Sequence, residues 1–166
     1  MEEAYSPLGF DFDAYMVEVS EMFQEKYGDG RCPMKKGVTE VLSYLKNTGA
    51  AIALASSTAR ENAIRMLKGA GIYDYFDVLI CGDMVSKSKP DPEIFLVACK
   101  ELGVNPEDAY IIEDSFNGIR AAYAAGTKPI MVPDLLAPDE EIRSKAFIVL
   151  RDLIEVKEFF ENPEGR

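Results

Sequence analysis

Histidine is absent from the 166 residues. That removes the commonest general base, the commonest transition-metal ligand and every triad built on an imidazole. Positive charge is scarce, since 18 Lys and Arg against 29 Asp and Glu leave a net charge of −11. A surface so negative repels phosphate backbones and anionic lipid, which argues against nucleic acid and membrane surfaces as partners. Cysteine is sparse. Cys32, Cys81 and Cys99 are odd in number and form no Cys-x-x-Cys pair. Reduced thiols in a cytoplasmic protein are expected, rather than a disulfide framework. No run approaches the ~20 apolar residues of a membrane span. Met1-Glu2-Glu3 starts acidic with no apolar run behind it, so no secretory signal is expected.

The balance of what is present, 48% apolar and 28% charged, is that of a globular domain and excludes wholesale disorder. From residue 37 onward, strand and helix signals alternate with little padding. Apolar runs at 50–55, 77–81, 109–112, 129–132 and 146–150 read as strands. Periodic segments at 38–47, 61–68, 92–102, 116–125 and 153–160 read as helices, several stopped by Gly49, Gly103 and Gly126. The alternation predicts right-handed crossovers, hence a doubly wound parallel sheet with helices on both faces. Residues 11–27 precede it as one amphipathic helix, with Met16, Val19, Phe23 and Tyr27 along a stripe. A lone apolar face must pack on either the main domain or another chain, and the chain is expected to be at least dimeric through this helix.

In such a sheet, ligands lie beyond the carboxyl ends of the strands. Three turns there carry chemistry. The first is Ser56-Ser57-Thr58, where Thr58 and Glu61 suggest a capping box starting a helix near residue 59. Small hydroxyls outside a helix amino terminus either cap it or bind an anion such as phosphate. The second is Lys89, made extended by Pro90. Its ammonium is either a solvated surface charge or a neutraliser of phosphoryl charge. The third is Glu113-Asp114-Ser115: two adjacent carboxylates suit Mg²⁺, unless Asp114 or Ser115 only caps the next helix.

Taken together, Pro33-Met-Lys-Lys-Gly37-Val38, Leu54-Ala-Ser-Ser-Thr-Ala-Arg60, Ser88-Lys-Pro-Asp-Pro-Glu-Ile-Phe95 and Ile112-Glu-Asp-Ser-Phe-Asn-Gly-Ile-Arg resemble the haloacid dehalogenase superfamily. Within it they are nearest the β-phosphoglucomutase-like phosphatases. The resemblance implies Mg²⁺-dependent phosphoryl transfer from small phosphorylated metabolites. It implies that Ser56 binds the transferring group and that Lys89 stabilises its charge. Asp114 becomes a metal ligand with Glu113 beside it, and Ser57 and Asn117 become substrate-binding candidates. It also implies that residues 1–30 are a remnant of a helical cap and that 31–166 form the core.

One part of that pattern is missing. The family's chemistry begins on an apolar strand ending in Asp-x-Asp-Gly-Thr, whose first aspartate is the nucleophile. Here the only Asp-x-Asp is Asp11-Phe12-Asp13, followed by Ala14-Tyr15. It reads as the start of the 11–27 helix, with a displaced nucleophile as the alternative. The chain as written is therefore expected to lack appreciable phosphatase activity. The family's sheet order is 3-2-1-4-5, with the missing strand central. Removing it leaves either the flavodoxin-like order 2-1-3-4-5, with the strand at 50–55 paired to that at 109–112, or a gap filled by another chain. The competing functional class is a non-catalytic domain that binds a phosphorylated molecule or a protein partner. A receiver-like domain needs an acidic pair after the first strand, which is absent.

Overall fold

The computed structural model describes residues 11–28 and 32–162. Helix α1 (Phe12–Tyr27) comes first. Asp11 Oδ1 accepts the Ala14 amide at 2.9 Å, and Asp13 lies in the first turn. Asp11-Phe12-Asp13 is thus a helix start, where carboxylates meet free N–H groups. Tyr15, Met16, Val19, Met22 and Phe23 are all exposed. Among the described residues, no core cluster includes a residue of α1.

The rest alternates as the sequence predicts: α2 (Val38–Asn47), β1 (Ala53–Ser56), α3 (Arg60–Gly69), β2 (Val78–Cys81), α4 (Glu93–Leu102), β3 (Tyr110–Glu113), α5 (Phe116–Ala124), β4 (Lys128–Met131), α6 (Glu140–Lys145), β5 (Ile148–Val149) and α7 (Leu153–Glu161). Helix α6 was not anticipated; Asp139 caps it by accepting the Ile142 amide. Gly37, just before α2, has a φ of 91°. A Cβ there would lie 2.7 Å from the Ile154 amide nitrogen at the start of α7. Only glycine allows both that backbone and that approach.

All pairings are parallel. Alternate residues of a strand face opposite layers, and the core divides accordingly. On one face Leu79 and Cys81 pack with α3 through Ala63 and Leu67. On that face too, Ile130 and Val132 pack with α2 and α7 through Leu42, Val156 and Phe159. On the other face Ile80 meets Phe95 and Ala98 of α4 and Ala121 of α5, and Met131 meets Ile119 and Ile142. The doubly wound α/β architecture is therefore present.

Continuity of the sheet is not. Among the described residues, β1 pairs with β2 in one sheet, and β3, β4 and β5 form another in that order. No pairing joins β1 to β3, so the version in which those two strands bond directly is set aside. The two strands flank a cavity of about 710 Å³ lined by residues 50–55 on one side and 109–113 on the other. Tyr110 and Ile112 are each 37% exposed, whereas Ile80, Cys81, Ile130 and Met131 are at most 1% exposed. The strands in the middle are the exposed ones, the reverse of a closed doubly wound sheet. Two strands separated by more than the ~4.8 Å hydrogen-bonding spacing cannot pair.

Candidate active site

The three turns that the sequence singled out follow the carboxyl ends of β1, β2 and β3. After β1, the Ser56 hydroxyl accepts the Thr58 amide at 3.2 Å and folds the turn. From β2, the Gly82 amide bonds the Thr58 carbonyl at 3.1 Å. A Cβ built on Gly82 would run into the Ser57 carbonyl oxygen, so this backbone approach requires glycine. The expected capping box is not formed. Helix α3 begins at Arg60, its N-cap residue is Ala59, and Thr58 sits one place too early to cap it. Asp83, brought close by the Gly82 contact, accepts the Arg60 amide instead at 3.0 Å.

Lys89 lies in the loop between β2 and α4. Glu93, in the first turn of α4, pins that loop. Its carboxylate accepts from the Ser86 amide at 3.0 Å, the Ser86 hydroxyl at 2.9 Å and the Lys87 amide at 2.8 Å. These bonds, the Ser86 amide first, hold the Glu93 carboxyl below its usual range. The Lys89 ammonium donates to the Ala55 carbonyl at 3.1 Å and to Glu113, and lies 4.8 Å from the centre of the Phe95 ring. The side chains of Lys89 and Glu113 are 12% and 10% exposed. One cation thus ties the end of β1 to the end of β3 across the break in the sheet.

The second Glu113 oxygen accepts the Ser115 hydroxyl at 3.0 Å, and Ser115 caps α5 by accepting the Gly118 amide at 3.0 Å. Ser115, not Asp114, is therefore the cap. A Cβ on Gly118 would occupy the space of the Glu113 carboxylate. Asp114 turns to the other side: Lys35 donates to it at 2.9 Å and to Asp134 at 3.2 Å, all three side chains being about half exposed. Partial burial pulls the Lys35 pKa down, but the hydrogen bonds to Asp114 and Asp134 together outweigh it and raise it above the ordinary lysine value. A cavity of about 250 Å³ is lined by Lys35, Ile112, Glu113, Asp114, Val132 and Leu153.

The structure thus joins Lys89 directly with Glu113 and with the Ala55 carbonyl, one residue before Ser56. Asp114 lines the same small cavity as Glu113 but bonds a different cation. Ser57 is exposed and Asn117 is exposed on α5, where its side-chain oxygen accepts from Arg120 at 3.1 Å. Among the described residues, no three carboxylate or thiol groups gather as a metal site. Asp114 and Asp134 do share one cation, so their hard oxygens are of the kind Mg²⁺ takes. Sequence reading missed Lys35, Glu93, Gly118 and Asp134. Asp134 was within reach, because it follows β4 as Asp114 follows β3; Gly118 and Glu93 act only through space.

Residues 3–132 match the family model of the haloacid dehalogenase-like hydrolases. The chain belongs to that family. Among curated relatives of this haloacid dehalogenase-like chain, it is 34% identical to Protein CbbY of Cereibacter sphaeroides, over 74% of the chain and 54% of that protein. It is 36% identical to a phosphoglycolate phosphatase of Thiobacillus denitrificans, over 72% and 54%. Among solved structures, a putative β-phosphoglucomutase from Thermotoga maritima superposes with a TM-score of 0.79 at 28% identity, covering 92% of this chain and 71% of that one. A CbbY variant from Rhodobacter sphaeroides, in complex with xylulose-(1,5)bisphosphate, gives 0.72 at 33% identity, covering 81% and 61%. The chain spans about half the length of the curated relatives it matches. Among the described residues, no helix is long and apolar enough to cross a membrane.

Proposed function

We propose that these residues are the phosphate-binding and charge-neutralising part of a phosphatase or phosphomutase for small phosphorylated metabolites, and that the 166 residues by themselves do not turn substrate over. The observation that carries this is Lys89, held nearly buried between the Ala55 carbonyl and Glu113 at the strand ends. A fixed ammonium there neutralises charge on a phosphoryl group without reorganising. The Ser56 hydroxyl, beside the start of α3, binds a phosphoryl oxygen, and Ser57 and Asn117 flank the entry. Asp114 would hold Mg²⁺ only weakly, with Glu113 beside it, and the ion when bound would supply further neutralisation of phosphate charge. The nucleophile is what is missing: Asp11 and Asp13 start a helix, and no other Asp-x-Asp occurs. We further assign residues 1–30 to a cap remnant and 31–166 to the core, self-association to the exposed stripe of α1, and a reducing, cytoplasmic setting to the free thiols Cys32, Cys81 and Cys99.

Incubation with p-nitrophenyl phosphate and Mg²⁺ tests the catalytic statement. No release above background is expected; turnover abolished by Asp13→Asn would overturn it. Titration with inorganic phosphate, followed by amide shifts at residues 55–58, tests the binding statement. The shifts should vanish in Lys89→Met, and their persistence there would remove Lys89 from the site.

A further inference from the structure

We infer that Lys35 is a built-in rival of the divalent cation: its ammonium neutralises Asp114 and Asp134, and a metal ion binds at Asp114 only by displacing it. This rests on the reading that Asp114 takes Mg²⁺, and adds what sets the affinity. Asp114 comes just after β3 and Asp134 shortly after β4. The two strands pair in parallel, so both carboxylates stand at the same end of the sheet. Lys35 Nζ reaches Asp114 Oδ2 at 2.9 Å and Asp134 Oδ2 at 3.2 Å. Two oxygens that share one small donor are held close together, as ligands of a single ion must be. An ammonium has three donors and no lone pair, so it cannot share a metal with the oxygen it bonds. A divalent ion and the lysine exclude each other at that oxygen.

The backbone delivers the lysine to this place. The Lys35 carbonyl accepts the Val38 amide at 3.3 Å, and Gly37, at a φ of 91°, lies hard against the start of α7. That turn fixes where residue 35 leaves the chain. The next residue is an internal contrast. Lys36 carries the same charge one position on, yet pairs with Asp152 at 3.1 Å. Asp152 is the carboxylate that caps α7 by accepting the Ile154 and Glu155 amides. Lys36 therefore serves a helix end, whereas Asp114 caps no helix, since Ser115 does so for α5. The side chains of Lys35, Asp114 and Asp134 are each about half exposed. Ion pairs so open to water are worth little by themselves, so the lysine can be displaced. One or two carboxylates suit Mg²⁺, which keeps several of its waters. The cavity of about 250 Å³ bordered by Lys35, Glu113 and Asp114 gives those waters room. The consequence is an affinity held low, because the metal must first outcompete a fixed positive charge.

The test is Mn²⁺ binding to the full 166-residue chain, read from the free-ion electron paramagnetic resonance signal. Mg²⁺ titrations are followed alongside by NMR at the Cε–H groups of Lys35 and Lys36. Lys35→Met should bind Mn²⁺ about tenfold more tightly than the wild type, because one positive charge a few ångströms from the ion is gone. Lys35→Arg keeps that charge and should bind no more tightly than the wild type. Lys36→Met should match the wild type, and Asp114→Asn should abolish binding even in the Lys35→Met background. In the wild type, Mg²⁺ should move the Lys35 signals and leave those of Lys36 in place. The half-exposed pairs predict that Lys35→Met folds, and Lys35→Gln gives the same comparison if it does not. Equal or weaker Mn²⁺ binding on loss of the lysine, or Mg²⁺ binding that leaves the Lys35 signals unmoved, would overturn the rivalry while leaving Asp114 as a ligand. Absence of binding in every variant, or binding that survives Asp114→Asn, would overturn the reading of Asp114 itself and the rivalry with it.

Discussion

Replacing Lys89 with methionine keeps an unbranched stem and removes the ammonium that joins the two sheets. What remains is Glu113, about one-tenth exposed, with its Ser115 hydrogen bond at 3.0 Å as the surviving strong contact. Breaking a buried ion pair by deleting one partner costs about 3–5 kcal/mol, because a charge is left uncompensated. The Ser115 bond and the neighbouring cavity place the expected loss at the lower end, about 3 kcal/mol. For a domain of this size that is roughly 6–12 °C in melting temperature. Glu113→Gln should lose somewhat less, since Lys89 keeps the Ala55 carbonyl and the Phe95 ring. The double variant Lys89→Met/Glu113→Gln should then be more stable than the sum of the single losses allows. Urea unfolding of the four proteins at neutral pH gives the cycle. A single-variant loss under about 1 kcal/mol, or additivity within about 0.5 kcal/mol, would refute the reasoning. The ammonium would then not be the tie between β1 and β3.

Other expectations follow from particular contacts. Gly82→Ala should cost about 1–3 kcal/mol in the same unfolding assay, because its Cβ meets the Ser57 backbone and not a side chain that can swing away. Gly118→Ala should push the Glu113 carboxylate off its place, and the Lys89–Glu113 coupling measured in that background should fall below about 0.5 kcal/mol. Glu141 is drawn from 4.5 down to about 2, chiefly by the hydrogen bond from Arg120. Since its folded value is lowered, its contribution to stability is complete above about pH 4.5 and fades as the pH falls toward 2. In Arg120→Ala, an NMR titration of Glu141 should return toward the ordinary carboxyl value. Met16→Glu together with Met22→Glu should convert a self-associating chain to a monomer in sedimentation, and a wild-type monomer would remove the role given to α1.

Much of the layer plan was legible because it is local. Apolar runs such as Val78–Cys81 and stops such as Gly103 act through hydrogen bonds within a few residues of themselves, so alternation alone dictates strands, helices and parallel crossovers. The reading of Asp11-Phe12-Asp13 as a helix start was local in the same way. The positions of Ser56, Lys89, Glu113 and Asp114 at strand ends followed from that plan. The capping box failed for a non-local reason: Asp83 reached the α3 start through Gly82, whose approach is set by packing between two loops.

What the sequence by itself determined is therefore the family, the α/β plan and the helix start at Asp11-Phe12-Asp13, all of which reside in runs of neighbouring residues. Tertiary structure alone decided which charges pair. Adjacent carboxylates Glu113 and Asp114 part company, one to Lys89 and one to Lys35 and Asp134, because successive residues at a strand end point to opposite sides. It also decided that β1 and β3 stand apart, since the distance between two strands is set by the helices packed on them and is written in neither strand.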